Sequence, residues 1–150
     1  MKWVFVDTDV FVRKLRYPRD RNTEVNSRFL EKMKEGKARA ATSIFNVLEV
    51  CGILSYNLAS ENLLKLYTGF GEHFGVKIYF PADRDGNLQY DYANIFRNIQ
   101  TKQSMGDAEV SYIVERFSDL ISAFVSWNAH HFDGKLSVPI MTPEEFLNIT

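Results

Sequence analysis

The chain has 150 residues, a formal net charge of -1, and 45% hydrophobic against 25% charged side chains. These are the values of one ordinary globular domain, spanning residues 1–150, and they exclude intrinsic disorder and a generally basic nucleic-acid binder. Any nucleic-acid contact has to come from a local patch. A single cysteine, Cys51 beside Val50 and Leu54, excludes an internal disulfide and reads as a buried thiol. No stretch approaches the roughly 18 apolar residues that cross a bilayer. The start carries Asp7 and Asp9 and lacks a small-residue cleavage site, unlike a secretory signal. The expectation is a soluble, cytoplasmic protein with no membrane association.

Val4 to Val12 is an apolar run interrupted by Asp7 and Asp9. Val4 and Val6 on one face and Trp3 and Phe5 on the other predict a strand covered by helices on both sides. Two acids inside such a strand would be costly to desolvate and would repel each other. Their economical place is the carboxyl end of the strand, where open α/β sheets keep ligand crevices. A purely structural reading stands beside this one: Asp9 caps a short following helix and Asp7 accepts backbone hydrogen bonds.

The stretch from Arg13 to Arg21 holds five basic side chains against one acid, around Pro18. Its Arg13, Lys14 and Arg16 follow directly on the acids. They suit either contact with an RNA backbone or a solvated loop and helix end. Asn22 then predicts the cap of a helix with Val25, Phe29, Leu30 and Met33 inward, closed by Gly36. Lys32, Lys34 and Lys37 suit its exposed carboxyl end. Lys37 to Thr42 predicts a second strand, and Ser43 opens a helix with Ile44, Val47, Leu48, Cys51 and Leu54 at helical spacing, leaving Glu49 off the stripe. A further helix over Glu61 to Phe70 places Leu63, Leu64, Tyr67 and Phe70 inward. Val76 to Phe80 is a third strand, and Pro81 to Asn87 a turn-rich loop in which Asp83 and Asp85 are loop formers.

Leu88, Tyr92, Ile95, Phe96 and Ile99 mark another amphipathic helix, and Asp107 begins a helix carrying Val110, Val114 and Phe117. Leu120 to Val125 predicts a fourth strand, followed by Ser126-Trp127-Asn128 and a turn holding His130 and His131; Val138 to Met141 is a short fifth. Thr142-Pro143-Glu144-Glu145 is a capping box with proline at the first helical position. Strands alternating with helices predict an α/β fold, a three-layer α/β/α arrangement around a mostly parallel five-stranded sheet.

In a parallel sheet of this kind strand ends and helix starts share one rim. Asp7, Glu49, Asp107 and the amide of Asn128 would meet there as an oxygen-rich nest, with no lysine or arginine assigned to neutralise it. Such donors suit Mg²⁺ or Mn²⁺, hard cations used in phosphate chemistry. One cysteine and scattered histidines give no zinc spacing.

Val6-Asp7-Thr8-Asp9-Val10, Ser43 to Glu49, Gly106-Asp107-Ala108-Glu109, Ser126 to Phe132, and Val138 to Phe146 stand in this order across nearly the whole chain. Together they resemble the motifs of the PIN-domain nucleases, in particular the VapC-like toxins of toxin–antitoxin pairs. The resemblance implies Asp7, Glu49 and Asp107 as metal-binding acids, Asn128 at a fourth and more variable position, and Ser126 orienting site groups. It also implies Mg²⁺- or Mn²⁺-dependent cleavage of RNA by metal-activated water, an antitoxin covering the acidic cleft, and a homodimer. Two residues depart from the pattern. Asp9 stands where the family often has a neutral residue, so the site is expected to be more acidic. Asn128 stands where many members have Asp, which weakens the case for a second ion.

Two other functions fit parts of the sequence. Asp7-Thr8-Asp9 after an apolar strand also resembles the opening motif of haloacid-dehalogenase-like phosphatases, with Asp7 as nucleophile, although Phe11 stands where that family wants Thr or Ser. A PIN-like chain with a weakened site could instead be an RNA-binding or assembly module.

Overall fold

The computed structural model describes residues 2–17, 19 and 21–150. Pro18 and Asp20 of the basic stretch, like Met1, lie outside the described residues. The elements run β1 (Trp3–Val6), α1 (Thr8–Arg16), α2 (Thr23–Lys34), β2 (Ala40–Ser43), α3 (Ile44–Leu54), α4 (Ser60–Phe74), β3 (Val76–Tyr79), α5 (Tyr92–Gln100), α6 (Met105–Arg116), β4 (Ile121–Val125), β5 (Ile140–Met141) and α7 (Pro143–Ile149). The five strands form one wholly parallel sheet in the order β3-β2-β1-β4-β5. β1 is therefore central. The chain first builds outward from it on one side, through β2 and β3, and then returns to add β4 and β5 on the other.

Both faces of β1 are covered, as its continuous apolar sequence demands. Val4 and Val6 pack into a core with Val10 and Phe11 of α1, Phe29 and Met33 of α2, Val50 of α3, and Phe70 and Phe74 of α4. Phe5 faces the opposite way, into a second core with Val110, Ile113 and Val114 of α6 and with Phe124 of β4. The result is the three-layer α/β/α fold expected, with the sheet in the middle.

Several local expectations are corrected. The apolar run does not continue as strand beyond Val6; Val10, Phe11 and Val12 lie in α1, and Arg13, Lys14 and Arg16 form its last turn. Asp7, not Asp9, caps that helix by accepting the Thr8 N–H at 2.9 Å. In α3 the inward stripe is Val47, Val50, Cys51 and Leu54, and Leu48 points out. In α4 it is Leu63, Leu66, Phe70 and Phe74, so Leu64 and Tyr67 are exposed. α5 buries only Ile95 among its apolar side chains, and Leu88 precedes the helix in the open. Strand β3 stops at Tyr79, and Phe80 is exposed. Helix α6 begins two residues earlier than Asp107, because Ser104 caps it through the Asp107 N–H.

The closing capping box is present as read. The Thr142 hydroxyl accepts from the Glu145 N–H, and the Glu145 carboxylate accepts from the Thr142 N–H at 2.8 Å. Cys51 is a free, buried thiol. No helix among the described residues is long and apolar enough to cross a membrane.

Candidate functional site

The topology dictates where a ligand crevice falls. Strands β1 and β4 are neighbours whose following segments leave toward different sides of the sheet, so a cleft opens beyond their carboxyl ends. Asp7 lies at the end of β1 and Ser126 at the end of β4. Their neighbours complete the wall. A cleft of about 240 Å³ is lined by Asp7, Thr8 and Asp9, by Glu49 of α3, by Asp107 of α6, and by Asn128 and His131 after β4. All four acids and the amide singled out in the sequence thus share one cleft. A larger hollow of about 460 Å³ between α5 and α6 sets Asp91 and Glu115 beside Arg97 and Arg116, so its charges already balance.

Asp7 is 8% exposed, and both of its oxygens are engaged. Oδ1 accepts from the Thr8 N–H and from Asn46 Nδ2 at 3.1 Å; Oδ2 accepts from the Ser126 hydroxyl at 2.9 Å. The same hydroxyl lies 3.0 Å from Asp9 Oδ2. A hydroxyl has a single proton, so two ionised carboxylates cannot both be satisfied by it. The pair calls for a proton on one of them or a cation nearby.

Asp9 has a different task from Asp7. Its oxygens accept from the Trp127 N–H at 3.2 Å and the Asn128 N–H at 3.0 Å. It clasps the segment after β4, while the Arg13 guanidinium opposes its charge.

Asn46 is the residue sequence reasoning passed over. It is fully buried in the first turn of α3, where Ser43 and Asn46 form a capping box. Its carbonyl oxygen accepts from Ser43, which leaves the amide NH₂ to donate to Asp7 and, at 3.0 Å, to the Thr8 hydroxyl. Thr8 in turn bonds Glu49. The Ser-x-x-Asn spacing was the available signal, and it marked a helix start only.

Glu49 is an exposed residue whose carboxylate leans over α6. A Cβ built on Gly106 would lie 2.9 Å from Glu49 Oε2. The missing side chain at position 106 is what lets the two helices bring Glu49 toward Asp107.

The electrostatics follow from this crowding. Burial first, then the Asp9 carboxylate, push the Asp7 carboxyl well above the ordinary aspartate value of 3.8, and Glu49 adds to the rise. Asp9 is raised chiefly by burial, against the pull of its hydrogen bonds and Arg13. Burial and then Asp107 raise Glu49. All three groups hold protons more tightly folded than unfolded. The stability they allow is therefore full below the unfolded values, 3.8 for the aspartates and 4.5 for Glu49, and is lost as pH climbs through the raised ones. Asp83, held below its ordinary value by the turn it closes, works in the opposite direction, but it is open to solvent. The expected result is a melting temperature of the metal-free protein that falls as pH rises above those ordinary values. Saturating Mn²⁺ should flatten the decline. A metal-free profile that rises over that range would contradict the buried acidic cluster.

The residues suit a hard divalent ion in a particular way. Among the described residues no three carboxylate, imidazole or thiol groups stand close enough to enclose an ion unaided. Mg²⁺ does not need such a cage. It usually keeps several waters and takes one or two carboxylates, and the cleft has room for a hydrated ion.

The remaining sequence candidates fall into place around this centre. Arg13 stacks on the Trp127 ring at 5.0 Å, Lys14 reaches Ser27 on α2, and Arg16 lies over Tyr17. Trp127 packs against the core beside the site. His130 and His131 form part of a single 3-10 turn after β4, their rings 4.3 Å apart, and of the two His131 lines the cleft.

No family model matches the sequence, and no curated protein matches it. Solved structures do match, over most of the chain. A chain of the structure of FitAB bound to an IR36 DNA fragment aligns over 93% of this chain and 94% of that chain, with a TM-score of 0.59 at 16% identity. FitAcB from Neisseria gonorrhoeae aligns with 94% of this chain and 98% of its own, with a TM-score of 0.59 at 16% identity. VapC20 of Mycobacterium tuberculosis, described as a sarcin–ricin-loop-cleaving toxin, aligns with 81% of this chain and 86% of its own, with a TM-score of 0.52 at 14% identity. At these identities the likeness is one of fold. The resemblance to PIN-domain, VapC-like proteins read from the motifs holds at that level.

Proposed function

We propose that this chain is a Mg²⁺- or Mn²⁺-dependent endoribonuclease and the toxin of a toxin–antitoxin pair. One observation carries the reading: Asp7, Glu49 and Asp107, from three separate elements, line one cleft at the switch point of the sheet, with burial and mutual repulsion already raising Asp7 and Glu49. The fold shared with VapC20, itself described as a sarcin–ricin-loop-cleaving toxin, supports it.

One or two of Asp7, Glu49 and Asp107 would bind a hydrated ion directly, and the remaining acid would reach it through its waters. Bound there, it would lower the pKa of a water and polarise a phosphoryl oxygen. The chain's own groups do the rest. Asn46 and Thr8 fix Asp7 and Glu49 in place, Ser126 ties Asp7 to the segment after β4, and Asn128 at the rim is free to orient a phosphate oxygen through its side-chain amide. Arg13, which stacks on Trp127 and opposes the charge of Asp9, would be nearer an RNA backbone in the cleft than Lys14 or Arg16. An enzyme with this substrate would work in the cytoplasm.

The acidic cleft gives an antitoxin something to cover, and a basic side chain inserted there would neutralise it. The homodimer has its own candidate surface: Tyr92, Phe96 and Ile99 lie at helical spacing along one face of α5 and are exposed, Tyr92 by 77%. An exposed apolar helix face suits an interaction site.

The test is incubation of pure protein with mixed structured RNAs, with Mn²⁺ and with a chelator, beside an Asp7→Asn control. Cleavage that needs the ion and Asp7 supports the reading. Cleavage that survives the chelator contradicts it, and a phosphoryl group trapped on Asp7 would turn the reading toward a phosphatase.

A further inference from the structure

A polar junction lies in the core between α1, α2 and the segment after β4. Asn26 of α2 is fully buried, yet both ends of its amide are used. Its Oδ1 accepts from Trp127 Nε1 at 2.7 Å, and its Nδ2 donates to the Val10 carbonyl of α1 at 3.0 Å. One side chain thus ties together α1, α2 and the segment that follows β4, partners 16 and 101 residues away in sequence. The other side of the indole carries the Arg13 guanidinium, 5.0 Å from the ring centroid.

The choice of residue is informative. A buried amide costs stability unless both of its ends are bonded, and a leucine of the same branching would make no such demand. What the amide adds is direction. With its N–H bound to Asn26 and its face against Arg13, the indole of Trp127 has one orientation. The backbone on either side then follows: the N–H groups of Trp127 and Asn128 aim at Asp9, and the Asn128 N–H also reaches Ser126 Oγ at 3.0 Å. Ser126 is in turn the donor to Asp7.

We infer that Asn26 is a positioning residue: by holding the Trp127 indole to α1 and α2 at once, it sets where Ser126 and Asn128 cross the mouth of the acidic cleft. Its consequence for RNA cleavage rests on the nuclease reading above; its consequence for the geometry of residues 126–128 does not. Asn26 touches no substrate on this account. It acts through Trp127, and Asp9 clasps the same segment from the cleft side.

Two variants test it, Asn26→Leu and Trp127→Phe. The second keeps an aromatic ring under Arg13 while removing the indole N–H together with part of the ring system, and it carries the test if Asn26→Leu fails to fold. Amide hydrogen exchange at residues 127 and 128 should quicken by about tenfold or more in either variant, with the amides of Phe124 and Val125 unchanged. In RNA cleavage kcat should fall by about tenfold while KM and the Mn²⁺ affinity stay within about twofold, because Asp7, Glu49 and Asp107 are untouched. The double variant should be no worse than the poorer single one, since both remove the same bond. Unchanged exchange at residues 127 and 128, or losses that add in the double variant, would overturn the inference. A wild-type protein that cleaves no RNA would strike the nuclease reading alone, because the exchange measurement still decides the junction.

Discussion

Asp7→Asn should abolish metal-dependent RNA cleavage, by about 10³-fold or more if the ion supplies several kcal/mol to the transition state, while the metal-free protein becomes more stable. The substitution suits the site sterically. The amide oxygen can still accept from the Thr8 N–H and Asn46 Nδ2, as Oδ1 does now. The new NH₂ would stand where Oδ2 accepts from Ser126, and the Ser126 proton would turn wholly to Asp9. What disappears is a buried charge beside two others, the arrangement that holds the Asp7 carboxyl far above its ordinary value. Removing it relieves the folded state at neutral pH and would, on the proposed function, remove a ligand in the same step. Thermal unfolding without divalent ions, run beside a cleavage assay with Mn²⁺, reads both effects. A variant that cleaves RNA at the wild-type rate would remove Asp7 from the centre.

This opposition between stability and function bears on what could be read from the residues alone. The apolar faces of Val4, Phe5 and Val6, the strand ending at Asp7, and the Thr142 capping box are local patterns, and the structure keeps them. The rim positions of Glu49 and Asp107 also followed, because parallel topology places helix starts beside strand ends. Expectation and structure part where a local pattern has two outcomes. Leu64 and Tyr67 sit at helical spacing from Phe70 and still face solvent, because a hydrophobic residue need not be inside. The stripe Tyr92, Phe96 and Ile99 has the period of a buried face and no core to meet.

Pairings between distant residues left no local trace at all. Nothing in the sequence joins Asn26 to Trp127, or assigns the Asn46 amide to Asp7. The expectation that Asp9 makes the centre more acidic needs the same refinement, since its carboxylate is engaged by Ser126 and by two backbone N–H groups and offers less to an ion than its charge suggests.

Gly106→Ala should weaken Mn²⁺ binding by about 10- to 100-fold, the range seen when a group that places a metal ligand is lost, without harming the fold. An added Cβ would lie 2.9 Å from Glu49 Oε2 and would meet no backbone atom within 4 Å outside its own helix. The yielding partner is therefore the end of a flexible side chain, and Glu49 swings away. The helix itself is not harmed, because alanine is favoured over glycine by about 1 kcal/mol in a helix interior and Gly106, the second residue of α6, gains only part of that. Gly52→Ala is the matched control. Gly52 also lies in a helix, α3, and nothing would stand within 4 Å of its new Cβ, so it should bring the stability gain and leave the ion affinity alone. Glu49→Gln should reproduce the affinity loss of Gly106→Ala and add little to it in combination, since both act on one ligand. Calorimetric titration with Mn²⁺ and thermal unfolding separate the two effects. Unchanged affinity in Gly106→Ala would mean that Glu49 reaches the ion from another position or does not reach it, and Glu49→Gln alone would then tell which.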